Sequence, residues 1–414
     1  MKAQLRIESL VHGGEGLARH EGRVVFVRGG APGDVVEAEV RGDGRFEHAR
    51  ALRVVEAGAS RVPAPCPIVE QCGGCPLQHV GYGAQLAAKS ALTADALERI
   101  GGFPPASYQL LPMVPSPKEL RYRRRALLHR GPHGSWGFMG DQGVVPVEEC
   151  LLLEPSLQKL ADALRGNDLP GVTDLALDTS AAGAGAVELR TRSTATPALR
   201  RRAAALLETV QGVVIGAEGF GDPVLVDELP GFRLRSRPDL FSQANRSMVP
   251  ALQDAALAAL GAAADGRILE LFCGTGTLTL PLLGRARSVL AVESFGAALQ
   301  LLRRSADEMS GAGAKLRLAA GDAAQVVSGL DGSFDAALLD PPRTGSAEAV
   351  LALTSRGIPR VVYVSCDAPT LARDAKLLRE RGYALDSARP LDLFPQTAHF
   401  EIVATFIRRG ASSS

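Results

Sequence analysis

The chain of 414 residues lacks any run of eighteen apolar residues, the length a helix needs to cross a bilayer. With 46% hydrophobic content it reads instead as a soluble chain of two or three domains with real cores. Its start, MKAQLRIESLVHGG, has no continuous apolar stretch of the secretory kind, so a cytoplasmic protein with no membrane partner is expected. Net charge is also nearly absent, at +1. Cysteine is scarce, with six in all, and a reducing compartment makes structural disulfides unexpected. Yet three of the six fall within ten positions, in CPIVEQCGGC at 66–75.

The charge balance hides one local excess. KELRYRRRALLHR, residues 118–130, carries six Lys and Arg against the single Glu119 and nets +5. Such a run is either a solvated face or a phosphate-binding strip with Tyr122 inside it.

Three zones follow one another. Residues 2–56 hold short alternating runs, QLRIESLV, GRVVFVRG, DVVEAEV and HARALRVVE, separated by Gly-Gly, Ala-Pro-Gly-Asp and Gly-Asp-Gly turns. That pattern predicts a small OB-like β-barrel over 1–58. RVPAPCP then reads as a linker into a central α+β zone, 59–240, holding the cysteine cluster, a helical stretch at 83–100, the basic strip and strands such as AVELRTR and PVLVDEL. From 241 to 414 helical and strand patterns alternate, which predicts a doubly wound, Rossmann-like parallel sheet and makes the whole a multi-domain α/β protein.

ILELF followed by CGTGT is a strand, a glycine turn and a helix start, where a ligand can approach the backbone. A dinucleotide cradle would want a third glycine at 279, where Thr279 stands. Glu293 ends the next strand, nineteen positions after Gly274, placed to accept both hydroxyls of a ribose. Asp322 and Asp340 end two further strands. Three acids in this order suit S-adenosylmethionine; their alternative role is to cap helices. Cys366 follows the apolar run VVYVS at the ligand-binding edge, as a nucleophile or as a buried structural thiol. Thr397, His399 and Glu401 alternate and would share a face if extended. A thiol and a carboxylate beside a methyl donor suit methylation at carbon 5 of a pyrimidine. Thiolate addition at carbon 6 activates carbon 5, and a base must then remove its proton.

RYRRRALL, FSQAN, LELFCGTGTLTLPL, LLDPPRTG, VYVSC with PTLARD, and FPQTAHFE stand in order along nearly the whole chain. The chain thereby resembles the RNA 5-methyluridine methyltransferases that carry an amino-terminal TRAM barrel and an iron-sulfur domain and modify 23S ribosomal RNA. The resemblance implies a class I methyltransferase domain at 241–414 with Cys366 as nucleophile and Glu401 as proton-abstracting base. It implies S-adenosylmethionine contacts from Gln243, Phe272, Thr277, Glu293, Asp322 and Asp340, the last also orienting the uracil. Two residues depart from the family pattern: Asp367 and Thr277 stand where Asn is common. Asp367 puts a negative charge beside the thiol, which by itself raises the thiol's pKa.

Cys66, Cys72 and Cys75 have spacing C-x5-C-x2-C, and Cys150 follows in VEECLLL. Spacing alone suits zinc and an iron-sulfur cluster equally. The resemblance implies a four-iron four-sulfur (4Fe-4S) cluster on these four residues. RNA is the partner implied, 23S rRNA ahead of tRNA, as a single strand or a flipped base. No obligate protein partner is evident. A radical methylthiotransferase would show C-x3-C-x2-C, and a non-catalytic RNA-binding protein would have no need of both Cys366 and Glu401.

Overall fold

Alternating apolar residues close the first fifty positions into a barrel. β1 (Lys2–Leu10), β2 (Gly16–His20), β3 (Arg23–Arg28), β4 (Val35–Arg41) and β5 (Phe46–Glu56) pair in the closed order β1-β2-β3-β5-β4. Leu5, Ile7, Val25, Val27 and Val36 fill its interior. The computed structural model describes residues 1–42 and 46–410, so of the expected Gly-Asp-Gly turn Asp43 and Gly44 lie outside the described residues. Asp34 fastens the barrel to the linker: its buried carboxylate accepts from Ala31 N at 2.7 Å, Gly58 N at 2.9 Å and Arg61 Nε at 2.8 Å. Burial alone would raise its pKa, but these donors win and hold it below the usual carboxylate range.

The cysteine segment holds the single turn α1 (Val69–Cys72), and α2 (Tyr82–Arg99) and the short β6 (Gln109–Leu110) follow. β7 (Arg125–Arg130), β8 (Trp136–Gly140), β9 (Gly143–Pro146), α3 (Pro155–Arg165), β10 (Val172–Thr179), β11 (Gly185–Thr191), α4 (Pro197–Ala205), β12 (Gly212–Ile215) and β13 (Glu218–Gly221) then build a seven-stranded sheet, β13-β12-β11-β10-β7-β8-β9, with its own core. A hairpin of β14 (Leu225–Leu229) and β15 (Phe232–Ser236) comes next.

The remaining elements are α5 (Val249–Leu260), β16 (Arg267–Leu271), α6 (Thr279–Leu283), β17 (Ser288–Glu293), α7 (Gly296–Asp307), β18 (Leu316–Ala320), α8 (Ala323–Ser328), β19 (Ala336–Leu339), α9 (Ala347–Ser355), β20 (Arg360–Ser365), α10 (Ala368–Glu380), β21 (Tyr383–Leu391) and β22 (Glu401–Arg408). Their sheet runs β18-β17-β16-β19-β20-β22-β21-β6. β16 to β20 are parallel and β22 is antiparallel. Strand order reverses between β16 and β19, where open sheets of this kind bind ligands.

Three expectations need correction. Residues 82–110 do not join the central zone, because α2 packs on α10 and β6 pairs with β21 (Ser387↔Gln109). The basic strip is neither a solvated face nor a phosphate track through its middle, since charges there are consumed internally. Arg124 is buried and donates to Asp178 at 2.8 Å, to Asp227 and to Ser236 at 2.8 Å. Arg125 donates to the carbonyls of Leu240 at 2.8 Å and Pro238 at 3.1 Å, and buried Tyr122 donates to the Pro395 carbonyl at 2.9 Å. Thr397, His399 and Glu401 do not lie on one strand: β22 begins only at Glu401, and Gln396 turns the chain at φ +69°. One helical stretch, Arg246–Asp265, is long and apolar enough for a membrane span, with mean hydropathy 1.2 and 44% of it buried; its apolar side packs on β20 and β22.

The loop from Asp392 to His399 is clamped by buried polar groups. Lys89 of α2 meets Asp392 at 2.7 Å, and both are essentially inaccessible. Burial pushes each toward its neutral form and their mutual attraction opposes it. Lys89→Ala leaves a buried carboxylate unpaired and should cost roughly 3–5 kcal/mol, read by urea denaturation. Replacing both partners by apolar residues of similar size should recover most of that loss.

Candidate active site

The carboxyl edges of four adjacent parallel strands carry the expected cofactor residues. After β16, Phe272 (φ +60°) and Gly274 (φ +53°) turn the chain sharply. Cys273 N donates to the Val292 carbonyl at 3.2 Å, and Gly274 N donates to Glu293 Oε2 at 3.0 Å, which ties this turn to the end of β17. Gly276 (φ +97°) admits no side chain, since a Cβ there would lie 2.4 Å from Leu302. Thr277 follows, its carbonyl accepting from Gln253 Nε2 at 2.7 Å. Gly321 N donates to the Glu293 carbonyl at 3.0 Å and so brings the β18 end alongside. There Asp322 caps α8 through Gln325 N at 3.0 Å, so the capping role weighed for it is real, and it occupies Oδ1. Asp340 N donates to the Leu271 carbonyl at 3.4 Å, beside the glycine turn. Glu293, Asp322 and Asp340 are therefore neighbours on one rim. Gln243 is buried on the segment before α5, tied to the strip by Arg124 N donating to the Ala244 carbonyl at 2.9 Å.

Cys366 follows β20 and Glu401 opens β22, and the antiparallel pair Ser365↔Ile402 sets them side by side. Burial pushes the Cys366 thiol up to about 12, helped by the Glu401, Asp340 and Asp367 charges and opposed by Arg343. The Glu401 carboxyl is raised well above its ordinary value, by burial first and then by Asp340. Asp340 is itself pushed up to about 7 by burial. Burial thus biases the thiol and both carboxyls toward their protonated forms. His399 is pushed down to about 4 by burial and nearby cations, so its neutral ring accepts from Arg343 Nη2 at 2.7 Å.

Two buried polar atoms around this region, Gln243 Oε1 and Glu401 Oε2, have no hydrogen-bond partner among the described residues. Buried polar groups are ordinarily paired, so these fit a polar ligand seated over the rim, as the adenosine and sulfonium of S-adenosylmethionine would be. The chain matches the family described as tRNA (Uracil-5-)-methyltransferase over residues 230–409 and the TRAM domain over residues 4–46. A 23S rRNA (uracil(1939)-C(5))-methyltransferase RlmD of Pseudomonas fluorescens is 36% identical across 98% of this chain and 94% of its own length. Its counterpart from Pseudomonas aeruginosa is likewise 36% identical, over 98% and 94%. The chain belongs to the RNA uracil-C5 methyltransferases. A Pyrococcus abyssi tRNA (uracil-54, C5)-methyltransferase, solved with S-adenosyl-L-homocysteine, shares the fold with a TM-score of 0.71 at 22% identity, over 97% of this chain and 99% of that one.

Cys66, Cys72, Cys75 and Cys150 of this methyltransferase line one small cavity with Ile68, Phe138 and Leu151, and none of the four is in a disulfide. Among the described residues, no group of three or more His, Cys, Asp or Glu side chains is drawn together as a single metal ion requires. Arg123 lies beside them, and its charge opposes the upward push of burial on the Cys72, Cys75 and Cys150 thiols.

Three groups at the centre were not assigned from sequence. Arg343 stands in the quoted DPPRTG, and Glu270 in the quoted LELF, where a lone acid inside an apolar strand was the signal. His12 of the barrel, 3.2 Å from Asp367, had no signal at all. Burial holds the Glu270 carboxyl up to about 8 against the pull of Thr279, with Asp340 adding to the rise. Above the ordinary carboxylate pKa the unfolded chain releases this proton and the folded one keeps it, so stability falls with rising pH until the folded group also ionises. Glu270→Gln should therefore flatten the decline in unfolding free energy between about pH 5 and pH 8 by up to about 1.4 kcal/mol per pH unit, measured by urea titration at each pH.

Proposed function

We propose that this methyltransferase acts on carbon 5 of a uridine in 23S ribosomal RNA, in the cytoplasm, with Cys366 as nucleophile and Glu401 as base. The observation that carries the reading is the placement of these two side chains across the β20–β22 pair, beside the rim of Glu293, Asp322 and Asp340. Cys366, its proton passed to solvent, adds as a thiolate to carbon 6, and the electrons of the carbon 5–carbon 6 double bond move toward the carbon-4 carbonyl to form an enolate. S-adenosylmethionine, when bound, supplies the electrophilic methyl group that this enolate takes at carbon 5. Glu401 then accepts the carbon-5 proton, the ring double bond re-forms, and the Cys366 sulfur leaves carbon 6.

Gln243, Phe272, Thr277, Glu293, Asp322 and Asp340 are the residues proposed to hold the cofactor. Asp340, beside both the rim and Glu401, is suited to face the sulfonium and the uracil together. A cation there lowers the pKa of both carboxyls, so cofactor binding readies Glu401 to act as a base. The long full-length match to RlmD proteins favours ribosomal over transfer RNA. Tritium release from RNA labelled at uridine carbon 5 tests the reading. Wild type should release tritium from unmodified 23S rRNA and much less from tRNA. Cys366→Ala should lose release entirely, and Glu401→Gln should accumulate a covalent RNA adduct without release. The single-turnover rate should climb with pH across the neutral range, because the thiol must lose its proton before it attacks. Release from tRNA alone would reassign the substrate.

The four cysteines are proposed to hold a 4Fe-4S cluster, each thiolate binding one iron. Support comes from their shared cavity, the left-handed Gly73 (φ +67°) that lets the chain fold around it, and the counter-charge of Arg123. A cluster on them would tie residues 66–75 to residue 150. Cys150→Ser should lose the visible absorbance and most of the iron; iron retained at the wild-type ratio would remove Cys150 from the ligand set.

A further inference from the structure

The loop joining β1 to β2 leaves the barrel and reaches the catalytic strand edge. Gly13 (φ +94°) and Gly14 (φ +86°) allow its tight turn, which is closed by Val11 N donating to the Glu15 carbonyl at 2.9 Å and Gly14 N to the Val11 carbonyl at 2.9 Å. A Cβ on Gly14 would stand 3.2 Å from Pro76, next to Cys75, so the loop is wedged against the cysteine segment. Its tip presents His12, whose Nε2 lies 3.2 Å from Asp367 Oδ2.

Asp367 is itself held in place. Its Oδ1 accepts from Thr370 N at 2.9 Å as the cap of α10, and its backbone N–H donates to Ser365 Oγ at 3.2 Å. Its Oδ2 is the oxygen that meets His12. The residue is the immediate neighbour of Cys366, and its carboxylate is one of three acids, with Glu401 and Asp340, that disfavour the thiolate. Burial would raise the Asp367 carboxyl, but Thr370, His12 and Arg343 together hold it below the usual range, so the charge is present at neutral pH. The charged or titratable groups around this contact are Arg343, which acts on Asp367, Cys366 and His399, together with Glu401 and Asp340 facing Cys366, and Glu15 on the loop, which reaches His48 at 3.8 Å.

We infer that His12, carried by the barrel, is a positioning residue for the methyl transfer: by engaging Asp367 it offsets the negative charge beside the Cys366 sulfur and so makes attack depend on the barrel being docked. The inference rests on Cys366 being the nucleophile. It gives the departure at 367 a compensating partner in the same chain, and it assigns the barrel a part in the chemistry beyond holding RNA. The coupling is a property of the pair, so the effect of His12 must disappear once Asp367 carries no charge.

Two readouts test it on cluster-loaded protein, with His12→Gln, Asp367→Asn and the double variant. The first is alkylation of Cys366 by iodoacetamide in the absence of RNA, followed by peptide mass spectrometry from about pH 6 to about pH 9. His12→Gln should slow alkylation by about two- to tenfold at a given pH, since a tenfold change corresponds to one pKa unit. Asp367→Asn should speed it, and the double variant should match Asp367→Asn alone. The second is single-turnover tritium release, where His12→Gln should lower the rate at saturating RNA by a similar factor and leave the KM for RNA within about twofold. A His12→Gln effect of equal size in the Asp367→Asn background, or one confined to KM, would overturn the inference and make His12 a plain RNA contact. Absence of tritium release from wild type, with the alkylation pattern intact, would instead count against the proposed reaction and leave the pairing standing.

Discussion

The catalytic edge depends on a buried polar clamp around the loop from Asp392 to His399. Lys89 holds Asp392 and also donates to the Phe394 carbonyl at 3.2 Å. Gln85 brackets Gln396 from both sides, donating to its Oε1 at 2.9 Å and accepting from its backbone N–H at 3.0 Å. Tyr122 reaches Pro395, Asn245 Nδ2 donates to the Leu393 carbonyl at 3.1 Å, and Leu77 N donates to the Gln396 carbonyl at 3.1 Å. Helix α2, the arginine strip, the segment before α5 and the cysteine segment therefore converge on the few residues that deliver Glu401. Since these bonds are buried, each partner left alone would carry its desolvation penalty, which makes the arrangement rigid and all or none.

That rigidity serves a site whose thiol and carboxyls are biased toward their neutral forms. The thiol is held near 12 and two carboxyls above their ordinary values, in each case by burial first. Glu270 adds a third buried carboxyl below the glycine turn. A sulfonium over the rim would favour the carboxylates, as the Arg343 charge already does at Glu401. On the proposed reaction this bias keeps the reactive groups quiet until the cofactor binds, and the inferred His12 contact adds the barrel loop to that control.

Much of this was legible in the sequence because it follows local rules. CGTGT after an apolar strand suggests a turn into a helix, weakly by itself, and gains weight because Glu293, Asp322 and Asp340 sit at strand ends that a parallel sheet aligns. Barrel strands announced themselves by period-two alternation. What escaped depends on long-range pairing. RYRRR looks like surface because nothing near it in sequence is acidic except Glu119, yet Asp178 and Asp227 arrive from 54 and 103 residues away. Residues 82–110 looked central by position, while their apolar face matches α10 and β21. The alternation of Thr397, His399 and Glu401 suggested a strand, but the clamp bends the backbone at Gln396 and lets Thr397 Oγ1 donate to the Phe394 carbonyl at 2.9 Å.

The central claim is that Cys366 bonds to carbon 6 and Glu401 removes the hydrogen from carbon 5. RNA bearing 5-fluorouridine at the target isolates it, because Glu401 cannot take fluorine as a cation and the adduct cannot resolve. Incubation with S-adenosylmethionine, nuclease digestion and peptide mass spectrometry should find a methylated fluorouridine bonded to the Cys366 peptide, stoichiometric in wild type and absent in Cys366→Ala. A stable adduct on another residue, or methylation with no adduct on Cys366, would contradict the account.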